Sequence, residues 1–154
     1  MTSIKEGDRA PHFTIVNQHN ESISLTNFKG KKLILFFYPK DNTPGCTAES
    51  CNLRDNYSEL KSLGFEVLGV SADSVQSHQK FISKFDLPFD LLSDTNKELI
   101  QLYDVWGPKK FMGKEYEGIH RTTFVIDENG IIEKVISKVK TKEHSQQIIE
   151  LYKN

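Results

Sequence analysis

An unbroken apolar run, Leu33-Ile34-Leu35-Phe36-Phe37-Tyr38, leads straight into a turn rich in Pro, Asp and Asn that ends at Cys46. A strand with one wet face alternates apolar and polar residues. A run without alternation belongs to a strand covered on both sides, the usual state of the central strand in a layered α/β sheet. Such a strand demands helices on two faces, and the rest of the chain is read for them.

Phe13 to Val16 and Ser22 to Leu25 are short strands separated by the polar turn Asn17-Gln18-His19-Asn20-Glu21. Cys46 to Leu63 reads as one helix with Leu53, Tyr57 and Leu60 on a stripe, ending at Gly64. Phe65 to Val70 is a second buried strand, Val75 to Phe85 a helix, Phe89 to Leu92 a short strand and Lys97 to Tyr103 a helix. Thr122 to Ile126 and Ile131 to Ile136 form a hairpin through Asn129-Gly130, and His144 to Tyr152 is the last helix. The expected fold is an α/β sandwich with a mixed central sheet, carrying both a parallel crossover and an antiparallel hairpin.

The chain has two cysteines, Cys46 and Cys51, and both fall at this strand-to-helix junction. Thr43 suits a helix N-cap, Pro44 suits the first helical position, and Gly45 and Cys46 follow in the first turn. The macrodipole and unpaired N–H groups of that turn favour the thiolate form of Cys46. On an ideal helix, residues five apart have Cα atoms separated by about 8.7 Å. A disulfide needs less than about 7 Å. The pair can therefore be helical when reduced, but must unwind the helix locally to join, as a cycling pair does and a static staple does not.

Other uses of the pair compete with this one. Two cysteines can be small buried apolar residues and nothing more. A permanent disulfide conflicts with the helical spacing, and zinc lacks both a close cysteine pair and a flanking histidine cluster.

The 154 residues, 37% hydrophobic and 27% charged, suit a single domain over 1–154. A formal net charge of −1 offers no reason to expect nucleic acid or an anionic membrane, and a small neutral substrate is compatible with it. Met1 to Gly7 shows no cationic segment followed by an apolar one, and no run approaches the length of a membrane span. A soluble cytoplasmic protein is expected.

The stretch from Phe36 to Cys51, with Pro39, Thr43 and Cys46 in the pattern P-x-x-x-T-x-x-C, resembles the active-site loop of the peroxiredoxins. The C-x4-C pair, together with Gly118-Ile119-His120-Arg121-Thr122-Thr123-Phe124, is similar to the bacterioferritin-comigratory-protein or Q-type subfamily, and the likeness extends from Gly7-Asp8-Arg9-Ala10-Pro11 to the final helix. The resemblance implies a thioredoxin-like fold with an N-terminal β extension. It implies a peroxidase that reduces hydrogen peroxide and organic hydroperoxides without metal, haem or flavin, regenerated by thioredoxin or a related dithiol and working as a monomer.

Carried over by position, Cys46 is the peroxidatic cysteine and Cys51 the resolving one, and Thr43, Gly45, Pro39 and Arg121 complete the substrate pocket. Thr43 would bond the substrate or sulfur, Arg121 and the first-turn N–H groups would supply positive potential, and Pro39 would exclude water. Glu49 is placed opposite Arg121 as a charge-assisted partner. His120 is aimed at the other face of its strand, and Trp106 with Lys109 to Tyr116 forms a packed loop or hairpin beside the pocket. A general thiol-disulfide oxidoreductase is the alternative enzyme, although the chain lacks C-x-x-C, and a non-catalytic redox sensor would use the same cysteines.

Overall fold

The computed structural model describes residues 2–153. It opens with β1 (Thr14–Val16) and β2 (Ser22–Ser24), an antiparallel pair outside the main sheet that forms the expected N-terminal extension. The apolar run becomes β3 (Lys32–Phe37), followed by helices α1 (Pro44–Asp55) and α2 (Tyr57–Ser62), strand β4 (Phe65–Ser71) and helix α3 (Val75–Phe85). Strand β5 (Asp90–Ser93), helix α4 (Glu98–Leu102) and the hairpin of β6 (Trp106–Phe111) with β7 (Lys114–Ile119) come next. The chain closes through β8 (Thr122–Ile126), β9 (Ile132–Ile136) and α5 (His144–Glu150).

The main sheet has the order β5-β4-β3-β8-β9. Strands β3, β4 and β5 are parallel, while β8 runs against β3 and β9 against β8, so the sheet is mixed as expected. The β8–β9 turn is tightened by Asp127, whose Oδ1 accepts from the N–H groups of Asn129 and Ile131, and by Gly130 at φ 81°.

Strand β3 shows why no polar residue interrupts it. Leu33, Leu35 and Phe37 pack on one face with Tyr103, Phe124 and Ile126, against α4 and the N-terminal extension. Ile34, Phe36 and Tyr38 pack on the other with Leu53, Phe81 and Ile148, against α1, α3 and α5. Burial on both sides turns a two-residue period into a continuous apolar run.

The helix expected from Cys46 to Leu63 is instead two helices, and the first starts at Pro44, the position that residue suits. Asn56 separates them at φ −111°, ψ 9°, and its side-chain Nδ2 donates to the Asn52 carbonyl at 2.8 Å. That bond lets the side chain compete with the helical backbone, the usual reason asparagine interrupts a helix.

The register of β3 with β8 sets up the site. Phe37 pairs with Thr122, so Arg121, one residue before β8, emerges beside the loop that follows Phe37. Residues far apart in the chain are thereby delivered to one end of the central strands.

Candidate active site

Thr43 takes the N-cap position of α1 with extended backbone, φ −97° and ψ 157°, and Pro44 is the first helical residue. The expected cap is only half made. Thr43 Oγ1 caps nothing in the helix and donates instead to the Lys40 carbonyl at 2.9 Å. The hydroxyl thus bends the loop back on itself and leaves the N–H groups of the first turn uncapped, free to face an anion. It makes no hydrogen bond to the Cys46 sulfur.

Cys46 lies in the first turn, 1% exposed, with its side chain in the core cluster beneath α1. Arg121 grips the turn with both arms of its fork. Nη2 donates to Cys46 Sγ at 3.3 Å, and Nη1 donates to Glu49 Oε1 at 2.6 Å. Gly45 makes room for this approach, since a Cβ there would stand 3.1 Å from Arg121 Nη2. Burial works against the guanidinium charge, but Glu49 and Cys46 outweigh it and hold Arg121 above its ordinary pKa.

Glu49 is fully buried and pairs with Arg121 as the sequence suggests. Loss of water pushes its carboxyl pKa up from 4.5 to about 7, and Arg121 opposes the rise. Its second oxygen, Oε2, has no hydrogen-bond partner among the described residues and lies 3.5 Å from His144 Nε2.

His144 is buried as well, and its tautomer follows from its neighbours. Gln147 Nε2 donates to the Lys138 carbonyl, which turns Gln147 Oε1 toward His144 Nδ1 at 3.0 Å. An amide oxygen only accepts, so Nδ1 carries a proton and Nε2 accepts from the Thr123 hydroxyl at 2.8 Å. Burial first, and the Arg121 charge after it, lower the His144 pKa from 6.5 to about 4, with Gln147 pulling the other way. Nothing in the sequence marked His144 as part of this cluster. It stands 95 residues from Glu49 and reads there only as the start of a helix.

Lys109 was also missed, being assigned only to a segment beside the pocket. It donates from Nζ to the Ile119 carbonyl at 2.9 Å, and its pKa is lowered by partial burial and by the Arg121 charge, with Cys46 pulling it back up. The β6–β7 hairpin therefore brings a second cation toward the sulfur. His120 turns away, its Nε2 3.0 Å from the Pro108 carbonyl. Pro39 is half-buried at the start of the loop, and Cys51 is a half-buried free thiol on α1.

A buried network that the sequence did not reveal holds the loop before Thr43. Asp41 Oδ2 is 2.7 Å from His78 Nδ1, and the Asp41 N–H donates to Asp73 Oδ2 at 2.8 Å. Asp41, Asp73 and His78 could be mistaken for metal ligands, but both Asp41 oxygens, His78 Nδ1 and Asp73 Oδ2 are already engaged with one another or with Tyr38, Ser71 and Ser77.

A buried thiol at a helix N-terminus, gripped by an arginine at the end of a central strand of a thioredoxin-like sheet, is the arrangement of a thiol-based oxidoreductase. Residues 6–135 match the AhpC/TSA family, and Peroxiredoxin Bcp of Escherichia coli (strain K12) is 45% identical over 149 residues, 97% of this chain and 96% of that protein. The crystal structure of a cysteine mutant of PrxQ from Xylella fastidiosa superposes with a TM-score of 0.91 at 30% identity, covering 98% of this chain and 96% of that one. The bacterioferritin comigratory protein of Xanthomonas campestris, studied for alkyl peroxide reduction in trapped intermediate and ligand complexes, gives a TM-score of 0.84 at 33% identity over 90% and 88% of the two chains. The chain belongs to the AhpC/TSA family and within it to the peroxiredoxins of the Bcp and Q type.

Proposed function

We propose that this enzyme is a thioredoxin-dependent peroxidase that reduces hydrogen peroxide and organic hydroperoxides through Cys46 and Cys51. The observation that carries the reading is the Arg121 fork, with one arm on the Cys46 sulfur at 3.3 Å and the other on buried Glu49. A guanidinium so placed favours the thiolate and stabilises negative charge as the O–O bond breaks.

The Cys46 thiolate attacks the terminal peroxide oxygen, an S–O bond forms and the O–O bond breaks. Sulfur is oxidised to a sulfenic acid, and the departing alkoxide or hydroxide takes a proton to leave as alcohol or water. The first turns of α1 then unwind, Cys51 attacks the sulfenic sulfur, and the hydroxyl leaves as water when the disulfide forms. A dithiol such as thioredoxin reduces that bond by exchange, becoming a disulfide itself. In this cycle Pro39 shields the pocket, Gly45 admits the arginine, and the loop around Thr43 and the first-turn N–H groups receive the peroxide.

The presence of both cysteines on one helix supports a complete cycle within one chain, and so a monomeric, single-domain working unit. No helix among the described residues is long and apolar enough to cross a membrane, and a reducing cytoplasm would keep both thiols ready. The test is peroxide consumption coupled to NADPH through thioredoxin reductase and thioredoxin. Multiple turnovers that require Cys46 support the reading. A single oxidation without turnover points to a redox sensor, and insulin-disulfide reduction without peroxide turnover points to a general oxidoreductase.

A further inference from the structure

The two-thiol cycle requires α1 to unwind near its start without the whole region coming loose, and the contacts on either side of the cysteines differ sharply from those between them. Before Pro44, Asp41 is held from four directions: Tyr38 Oη donates to Oδ1 at 2.5 Å, Ser77 Oγ donates to Oδ2 at 2.8 Å, His78 Nδ1 lies 2.7 Å from Oδ2, and the Asp41 N–H donates to Asp73. His78 is itself fixed to β5, since its Nε2 lies 2.9 Å from the Leu92 carbonyl. Both ring nitrogens thus face oxygen atoms, one on the loop and one on β5, and the ring sits between the two.

Beyond Cys51 a second set of contacts begins at once. Asn52 Oδ1 accepts from the Ser145 N–H at 2.7 Å, Asn52 Nδ2 donates to the Lys142 carbonyl at 3.0 Å, and Ser145 Oγ donates to the Asn52 carbonyl at 3.2 Å. These bonds fasten the middle of α1 to α5 and the turn before it.

Between the two sets, the side-chain hydrogen bonds to residues 44–51 among the described residues are the pair from Arg121, to Glu49 and to the Cys46 sulfur. The second weakens once the thiolate charge is lost on oxidation. Two of the four buried side-chain polar atoms without a partner among the described residues, Glu49 Oε2 and Ser50 Oγ, also lie in this segment. Unwinding would give both of them water, which offsets part of its cost.

Resting on the two-thiol reading, we propose that Asp41–His78 and Asn52–Ser145 are fixed anchors that confine unwinding to residues 44–51. His78 is a positioning residue for the oxidation step, because it keeps the loop through Thr43 in place for the peroxide. Asn52 is a positioning residue for disulfide closure, because it holds Cys51 where the swinging Cys46 meets it.

Amide hydrogen exchange, read by mass spectrometry on the reduced full chain and on the chain oxidised with diamide, tests the confinement. Protection is expected to fall over 44–51 and to persist over 40–42 and 53–56, and loss running through either flanking segment overturns the proposal. In single-turnover kinetics, His78→Leu should slow Cys46 oxidation about tenfold and leave disulfide closure unchanged, while Asn52→Ala should do the reverse by a similar factor. Equal slowing of both steps by each variant would mean a merely structural role. The exchange comparison on the unaltered chain stands whether or not a variant folds. Diamide makes the disulfide without peroxide, so a failure of Cys46 to react with peroxide defeats the peroxidase reading while the exchange map still decides the anchors.

Discussion

Arg121 reaches the Cys46 sulfur at 3.3 Å across 75 residues of sequence, and its other arm is held by a carboxylate that never touches water. The pairing β3–β8 makes this possible, because it fixes where Arg121 leaves the sheet. Charge, hydrogen-bond direction and position are set together before any peroxide arrives, the condition under which electrostatic stabilisation costs least in reorganisation.

Removal of that guanidinium should separate the half-reactions. Arg121→Ala is expected to slow Cys46 oxidation by about 100-fold, the usual cost of losing one aligned donor, while reduction of the disulfide by thioredoxin keeps its rate. Rapid-mixing measurement of each half-reaction reads the split, and equal slowing of both would exclude a transition-state role.

The two thiols should behave differently. Cys46→Ser is expected to abolish peroxide consumption, whereas Cys51→Ser should consume roughly one equivalent and stop at the sulfenic acid, the first reversible rung of sulfur oxidation. Trapping with dimedone followed by intact mass identifies the stalled product.

Gly45→Ala sets helix stability against reactivity. Alanine in a helix is favoured over glycine by roughly 0.5–1 kcal/mol, yet the new Cβ would press on Arg121 Nη2 at 3.1 Å. The variant should keep or gain thermal stability and lose about tenfold in peroxide reactivity as the guanidinium moves off the sulfur. Thermal melting together with peroxide kinetics checks both halves, and unchanged kinetics would show that the arginine adapts.

Glu49 and His144 should mask each other's pH dependence. Glu49 is raised from 4.5 to about 7 in the folded protein, so its contribution to stability is present below pH 4.5 and is lost as pH rises through about 7. His144 is lowered from 6.5 to about 4, so its contribution is present above pH 6.5 and is lost as pH falls through about 4. Between 4.5 and 6.5 the folded pair holds its proton on Glu49 and the unfolded pair holds one on His144, and the slopes cancel. Relative to wild type, Glu49→Gln should lose stability toward acid and His144→Gln toward neutral pH, each by about 1.4 kcal/mol per pH unit. Denaturant titrations across this range read the difference, and parallel profiles would refute the pairing.

Much of the fold was legible locally. The apolar run of β3, the Asn129-Gly130 turn and the Pro44 helix start each depend on residues within a few positions, and the structure has them where they were expected. The single long helix was not, because its stripe of Leu53, Tyr57 and Leu60 continues across Asn56 while the Asn56 side chain interrupts the backbone. Thr43 shows the same limit: residue type and position predicted the cap, but a carbonyl three residues back took the hydroxyl.

Read alone, the chain determined which residue types stand at a helix start, how far apart the cysteines lie, and that one strand is buried on both faces, since these follow from local spacing and burial. Tertiary structure alone decided that Arg121 meets Cys46, that Glu49 backs onto His144, and that Asp41 and Asn52 are tied down on either side of the thiols. Those relations join residues dozens of positions apart. They exist because strand register and helix docking bring the groups within hydrogen-bond range, and no local pattern encodes that distance.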